Sequence, residues 1–263
     1  MIPSLAALHA KFWTEAGVAA KKADRKAFPG HGYPFLNKSV GPEAEGSDMR
    51  FIYEFQEMPF DAALKSRFAD AWSADVAAAM ARHKSEMFAI AAKMEKMFAG
   101  RAVPLTIAHW DCHAGNLLAA TKVSAPTFVD WQWPTEGEGV ADLARLISFN
   151  MDVAERRKHG EELIGEYCDA LYRNGVSESD YPYELALCRY RVWAQLTLFI
   201  SYAHGTTYCK DDKPRDVLLM RKLYERLSAL LADHGFVDFG LGVAGYDEGV
   251  AELTGREEGK KAA

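Results

Sequence analysis

Apolar residues recur at helical spacing along most of the chain, which predicts a mostly helical fold. The segment 61–98 is rich in Ala, Met, Lys and Glu and contains neither Gly nor Pro, so we predict one long helix or two helices joined end to end, closed by Gly100. Further helices are predicted at 3–22, 140–149, 155–174, from a cap at Ser179–Asp180 to about 208, and at 211–232.

Short β-rich runs interrupt this helical pattern in the middle of the chain. Residues 105–108, 117–118 and 126–129 are apolar or β-branched and alternate with polar residues, which predicts a hairpin that holds a loop in place. Residues 23–60 are punctuated by Gly and Pro and predict an irregular connection, with a short extended piece at 51–53.

The composition is that of an ordinary globular protein and excludes several classes of function. Of 263 residues, 49% are hydrophobic and 26% are charged, and the net charge of −6 gives no basic surface for nucleic acid or an anionic membrane. The four cysteines form no C-x-x-C pair, the longest apolar run (192–203) is too short to span a bilayer, and the first residues lack signal-peptide features. We therefore expect a reduced, cytoplasmic protein.

The candidate chemistry lies between the β-rich runs. The residues from His109 to Asn116 fit the pattern H-x-D-x-x-x-x-N, which is typical of the catalytic loop of kinase-like phosphotransferases. In that chemistry the Asp accepts the proton of the attacking hydroxyl, the Asn holds Mg²⁺, and a second Asp one hairpin further on holds the metal that bridges the phosphates. Asp111, Asn116 and Asp130 fit these three positions, so we expect them to converge on one point.

Three segments together (109–118, 128–132 and 139–144) resemble the aminoglycoside phosphotransferase and choline kinase-like superfamily. The Asp-Trp-Gln version at 130–132 looks most like the bacterial and ecdysteroid-kinase-like branches. The resemblance is sharp over 105–148, and 5–13 are more faintly similar to the helix that opens the C-terminal lobe of the family.

This resemblance implies an α+β, mostly helical fold: a protein-kinase-like C-terminal lobe over 1–254 with a small catalytic β-hairpin. The short, charged segment 255–263 that follows is predicted to be a disordered tail. It also implies Mg²⁺ and the co-substrate ATP, and transfer of a phosphoryl group to a hydroxyl of a small molecule. No residue of the chain is diagnostic of that acceptor.

The resemblance also implies a role for each residue of the site. Asp111 is the catalytic base, and Asn116 and Asp130 hold the metal. His109 braces the loop and His113 lies beside the site. Asp142 ties the backbone of the loop to the helix that follows, although a carboxylate at a helix start also fits the positive end of a helix dipole.

A zinc-dependent hydrolase is the rival enzyme class. His109, Asp111 and His113 alternate along the chain, so in an extended strand they would face one side at metal-ligand spacing. Against this interpretation, three residues of one loop seldom complete a zinc site, and the chain contains no further H-x-H or H-x-x-x-H pair.

The pattern of apolar residues gives no counterpart to the N-terminal β-lobe of the family. The helix that opens the C-terminal lobe is already predicted at 3–22. We therefore expect that lobe to be missing from this chain. The lobe would then come from a separate chain, or the chain would act as a non-catalytic binding or interaction module. Apolar surface exposed above Asp111 and Asp130 would also favour a homo-oligomer.

Overall fold

The computed structural model describes most of the helical part of the chain and the strands around the candidate site. The described residues are 1–13, 66, 68, 72–99, 103–118, 126–131, 135–210 and 212–237. Within the long helix that ends at Ala99, side chains are described only as far as Glu86.

Six α-helices and four short strands make up the described part. In chain order they are α1 (Ile2–Lys11), α2 (Ala74–Ala99), β1 (Thr106–Ala108), β2 (Leu117–Leu118), β3 (Thr127–Phe128), β4 (Thr135–Gly137), α3 (Val140–Asn150), α4 (Val153–Arg173), α5 (Tyr183–Tyr208) and α6 (Pro214–His234). The predicted α+β, mostly helical class is confirmed.

Helix α5 forms the centre of the core. Its apolar residues lie on all sides instead of on one stripe, as expected for a helix that is surrounded by others. It packs chiefly against α3 and α6, and α1 packs against α4. Trp193 and Phe199 of α5 are almost fully buried in this core.

Two antiparallel strand pairs bracket the candidate site. Strand β1 pairs with β4, and β2 pairs with β3 in the register Leu117 opposite Phe128 and Leu118 opposite Thr127. The predicted hairpin is therefore present as β2 and β3, while residues 119–125 between them lie outside the described residues.

Two helix boundaries differ from the prediction. Helix α1 ends at Lys11 instead of continuing toward 22, because Trp13 leaves the helix and packs edge-to-face on Tyr181, with ring centroids 5.1 Å apart. Helix α5 begins after Pro182 instead of at Ser179–Asp180, since Ser177, Ser179 and Asp180 form a hydrogen-bonded turn before it.

Several predictions fall outside the described residues. These are the remainder of the 3–22 helix, most of 61–71, the extended piece at 51–53, the cap at Gly100 and the tail at 255–263. Among the helices that the structure describes, none combines the length and the apolar character needed to cross a membrane.

A buried histidine in the core should make stability depend on pH. His83 of α2 is 2% exposed and stacks on Phe199, with ring centroids 4.8 Å apart, and burial lowers the pKa of His83 from 6.5 to about 3. Below pH 6.5 the His83 side chain binds a proton in the unfolded chain but stays neutral in the folded chain. The contribution of neutral His83 is thus fully present above that pH and declines as the pH falls toward 3.

We expect His83→Phe, which keeps an aromatic ring at this position, to reduce this dependence. Between about pH 7.5 and about pH 5, the free energy of unfolding of the wild type should fall by about 2 kcal/mol more than that of the variant. Urea denaturation of both proteins at the two pH values measures the difference. Equal losses would contradict the prediction.

Candidate active site

The loop between β1 and β2 has a strained backbone at its start. Trp110 has a φ of 68°, in the left-handed region that bulky residues rarely adopt. The buried carboxylate of Asp142, in the first turn of α3, accepts hydrogen bonds from the backbone N–H of His109 (2.5 Å) and of Trp110 (2.8 Å). Asp142 therefore fixes the conformation of the loop at the point where it is strained.

The same carboxylate connects the loop to α1 and α4. His9 Nε2 lies 3.2 Å from Asp142 Oδ2, and His9 Nδ1 lies 2.8 Å from the Tyr167 hydroxyl. Gly139 lies directly against this pair, and a Cβ there would approach the His9 ring and the Tyr167 oxygen to 2.6 Å. Only glycine fits at this position without displacing them.

Asp111 lies at the centre of the loop and has several partners. Its Oδ1 accepts from Arg145 Nη2 at 2.6 Å, its Oδ2 accepts from Asn116 Nδ2 at 3.1 Å, and His113 Nε2 lies 3.6 Å from Oδ2. Burial by itself would raise the pKa of Asp111, but His113 and the Arg145 guanidinium outweigh burial and hold that pKa well below its usual range. The carboxylate is therefore ionised at neutral pH.

Asn116 is the last residue of a short 3₁₀ turn, Ala114–Asn116, and its side chain contacts the preceding loop. Its Nδ2 also donates to the backbone oxygen of Asp111 at 3.0 Å, and no described residue donates a hydrogen bond to the amide oxygen, Oδ1. The Asn116 carbonyl accepts from Val129 N at 2.9 Å, which extends the β2–β3 pairing by one residue.

Asp130 follows this pairing directly. It is exposed and has a φ of 63°, a conformation that Asp tolerates better than most residues. The structure thus brings Asp111 and Asn116 into contact. Asp130 follows directly after Val129, the residue whose backbone N–H binds the Asn116 carbonyl. Asn116 and Asp130 supply amide and carboxylate oxygens, which are the ligands that Mg²⁺ prefers.

His109 joins the loop to the strand that carries Asp130. Its Nε2 donates to the Val129 carbonyl at 2.8 Å, and its Nδ1 accepts from the backbone N–H of Asp111 at 3.3 Å. These partners require the neutral tautomer with the proton on Nε2. The ring is fully buried and packs against Trp131, with ring centroids 4.3 Å apart.

The described residues give the zinc interpretation no support. Both ring nitrogens of His109 already have partners inside the protein, and His113 Nδ1 accepts from Gly115 N at 3.0 Å. Across the described part of the chain, no three His, Cys, Asp or Glu side chains come together in a way that could hold a metal ion.

Two site residues on α3 escaped the sequence analysis. Arg145 bridges the loop and α5, because its Nη1 donates to Ser201 Oγ at 3.0 Å while Nη2 holds Asp111. Asn150 Oδ1 accepts from Ala114 N at 2.9 Å. The signal for Arg145 was its spacing: it follows Asp142 by three residues, so both lie on one side of the helix.

A buried ion pair beside the loop also escaped detection. Glu138, just before α3, accepts from Arg189 Nε (2.8 Å) and Nη2 (2.6 Å) and from Trp193 Nε1 (3.0 Å). Both charged side chains are almost fully excluded from solvent. The Trp193 ring packs edge-to-face on Trp110 at 5.2 Å, so the pair also supports the strained residue of the loop.

Removal of the Asp142 carboxylate should destabilise the protein. Asp142→Ala leaves the buried N–H groups of His109 and Trp110 without their acceptor, and we expect the free energy of unfolding in urea to fall by about 3 kcal/mol or more. Asp169→Ala, on the exposed face of α4, is the control and should change it by less than about 0.5 kcal/mol. A loss at Asp142 no larger than at Asp169 would contradict this account.

Comparison with known proteins agrees with the geometry of the loop. No curated protein matches the sequence significantly. A model of the ecdysteroid kinase-like family matches residues 1–176, a range that contains the loop, the hairpin and Asp142. The match confirms the resemblance at the level of the kinase-like superfamily, in which the aminoglycoside phosphotransferases are a different branch. The chain belongs to the ecdysteroid kinase-like family, which implies kinase-like phosphotransferase activity on small molecules in general.

Proposed function

We propose that this chain performs ATP-dependent phosphoryl transfer to a hydroxyl group of a small molecule, with Asp111 as the base. The observation that carries the proposal is the ionised Asp111 carboxylate in contact with Asn116, in a loop that the buried Asp142 holds in place. A hydrogen-bond acceptor next to an oxygen-donor metal ligand is the arrangement that phosphoryl transfer requires.

Asp111 would act mainly by orienting the acceptor. Arg145 occupies Oδ1, so Oδ2 is the oxygen that would accept the hydroxyl hydrogen of the substrate, beside the Asn116 amide. A carboxylate with a low pKa is a weak base, which suits a loose transition state in which the hydroxyl loses its proton late. The hydroxyl proton would then be held at Oδ2.

Asn116, through Oδ1, and Asp130, through its carboxylate, are the residues that would hold a magnesium ion. The metal, when bound, would offset the negative charge of the phosphates. Asn116 would orient one ligand oxygen through its hydrogen bonds to Asp111, and Asp130 would supply a carboxylate from the neighbouring strand. Two protein oxygens leave most of an octahedron to water and phosphate, so we expect weak Mg²⁺ binding without nucleotide.

The decisive variant is Asp111→Asn, which keeps the size and the hydrogen-bonding reach of the side chain but removes the base. We expect it to lower ATP consumption with a panel of hydroxylated small molecules by about 10²–10⁴-fold. Asp169→Asn, the same change on the exposed face of α4, should leave the rate unchanged. A wild-type chain that binds Mg²⁺·ATP by calorimetry but transfers phosphate to no acceptor would favour a binding module instead.

Loss of either proposed metal ligand should raise the Mg²⁺ concentration that the activity requires. Asn116→Ala removes one proposed oxygen ligand, and Asp130→Asn replaces the proposed carboxylate ligand by an uncharged amide. We therefore expect the Mg²⁺ concentration for half-maximal activity to rise in both variants. Metal analysis of the purified protein should find no stoichiometric zinc. A tightly held zinc that depends on His109 and His113 would reverse this assignment.

A further inference from the structure

A cavity of about 160 Å³ lies among helices α4, α5 and α6, and none of the residues that line it belongs to the catalytic loop. Arg156, Arg157 and Gly160 form one wall from α4, Tyr190 and Arg191 a second from α5, and Asp233 a third at the end of α6. We call it the arginine cavity. Its volume is several times the share of one water in the liquid, about 30 Å³, so it can hold more than a single solvent molecule.

The charged groups of the arginine cavity do not balance. Its lining contains three arginines and two acids, Asp233 and Glu161. When His234 is neutral, the lining therefore carries one net positive charge. Asp233 is fully engaged, since Arg156 Nη2 and both Nε and Nη2 of Arg157 donate to it. Glu161 is a weak partner for Arg191, because the two charged groups are 3.6 Å apart and the Glu161 side chain is 69% exposed.

Three donors in the cavity walls lack a hydrogen-bond acceptor among the described residues. They are Arg156 Nε, Arg191 Nε and the Tyr190 hydroxyl, all buried. Arg156 is 6% exposed and Tyr190 is 4% exposed. Buried donors of this kind are uncommon and costly to leave unpaired, and the described residues supply no acceptor for them, so the acceptor would be water or a ligand in the cavity.

Burial and the nearby Arg191 lower the pKa of His234, although Asp233 and Glu161 oppose this effect. The α4 wall leaves free space at Gly160, because a Cβ built there would meet only Arg156 Cγ, at 3.7 Å.

From this arrangement we propose that the arginine cavity is a binding site for a small phosphate-type oxyanion, either free phosphate or the phosphate group of a monoester. Guanidinium groups bind such oxyanions through paired N–H donors, and the Tyr190 hydroxyl adds a third kind of donor. The apolar side chain of Leu187 and the Tyr190 ring also line the cavity and leave room for a small apolar substituent.

Calorimetry on the full chain tests the proposal, with inorganic phosphate and phenyl phosphate as probes at constant ionic strength. We expect saturable binding to the wild type, and a loss of affinity of about tenfold or more in Arg191→Gln. Gly160→Leu, which fills the cavity without changing charge, should lose binding as well. Arg173→Gln removes the same charge as Arg191→Gln, but from an exposed position at the end of α4, and should bind like the wild type.

The choice of probes and variants separates the alternatives. Tighter binding of phenyl phosphate would identify a monoester as the ligand class, and equal or tighter binding of inorganic phosphate would identify the free anion. Binding that survives in both Arg191→Gln and Gly160→Leu would place the anion elsewhere, including the catalytic loop, and would overturn the proposal. Absence of saturable binding to the wild type would also overturn it, whatever the variants at Asp111 do to phosphoryl transfer.

Discussion

The hydrogen bonds from the backbone of His109 and Trp110 to Asp142 set the geometry on which the rest of the site depends. A tryptophan in the left-handed region costs about 1–3 kcal/mol, and the surrounding structure must offset this cost. Each hydrogen bond to a buried carboxylate contributes about 1.5–3 kcal/mol, so two of them suffice. The turn at Trp110 in turn directs the following residue, Asp111, toward Asn116 and Arg145.

Helix α3 is the rigid element that supports this loop. Three residues of this helix bind three successive parts of the loop. Asp142 in the first turn binds Trp110, and Arg145 one turn later binds Asp111. Asn150 at the end of the helix binds Ala114. The helix is itself buried against α5, and Arg145 reaches Ser201 there. A site built on a packed helix in this way keeps its functional groups in place more accurately than a loop alone could.

The sequence predicted the parts that depend on local pattern. Helices α3, α4 and α6 and the β2–β3 hairpin follow from apolar periodicity and turn residues. The contact of Asp111 with Asn116 was expected from the spacing of the motif, and the link of Asp142 to the loop was expected from the family resemblance. The end of α1 was not predictable in the same way, because it depends on Trp13 meeting Tyr181, which lies far away along the chain. The Glu138–Arg189 pair was missed for the same reason, since spacing along one element does not identify the side chain that packs opposite.

His109 has a mechanical consequence for the site. One imidazole ring binds the backbone amide of Asp111 with one nitrogen and the carbonyl of Val129, beside Asp130, with the other, and it packs against the rings of Phe128 and Trp131. The proposed base, Asp111, and the segment just before Asp130 are therefore linked through a single ring. A shift of that segment would act on Asp111 through the same two hydrogen bonds, so the two halves of the proposed site are mechanically coupled.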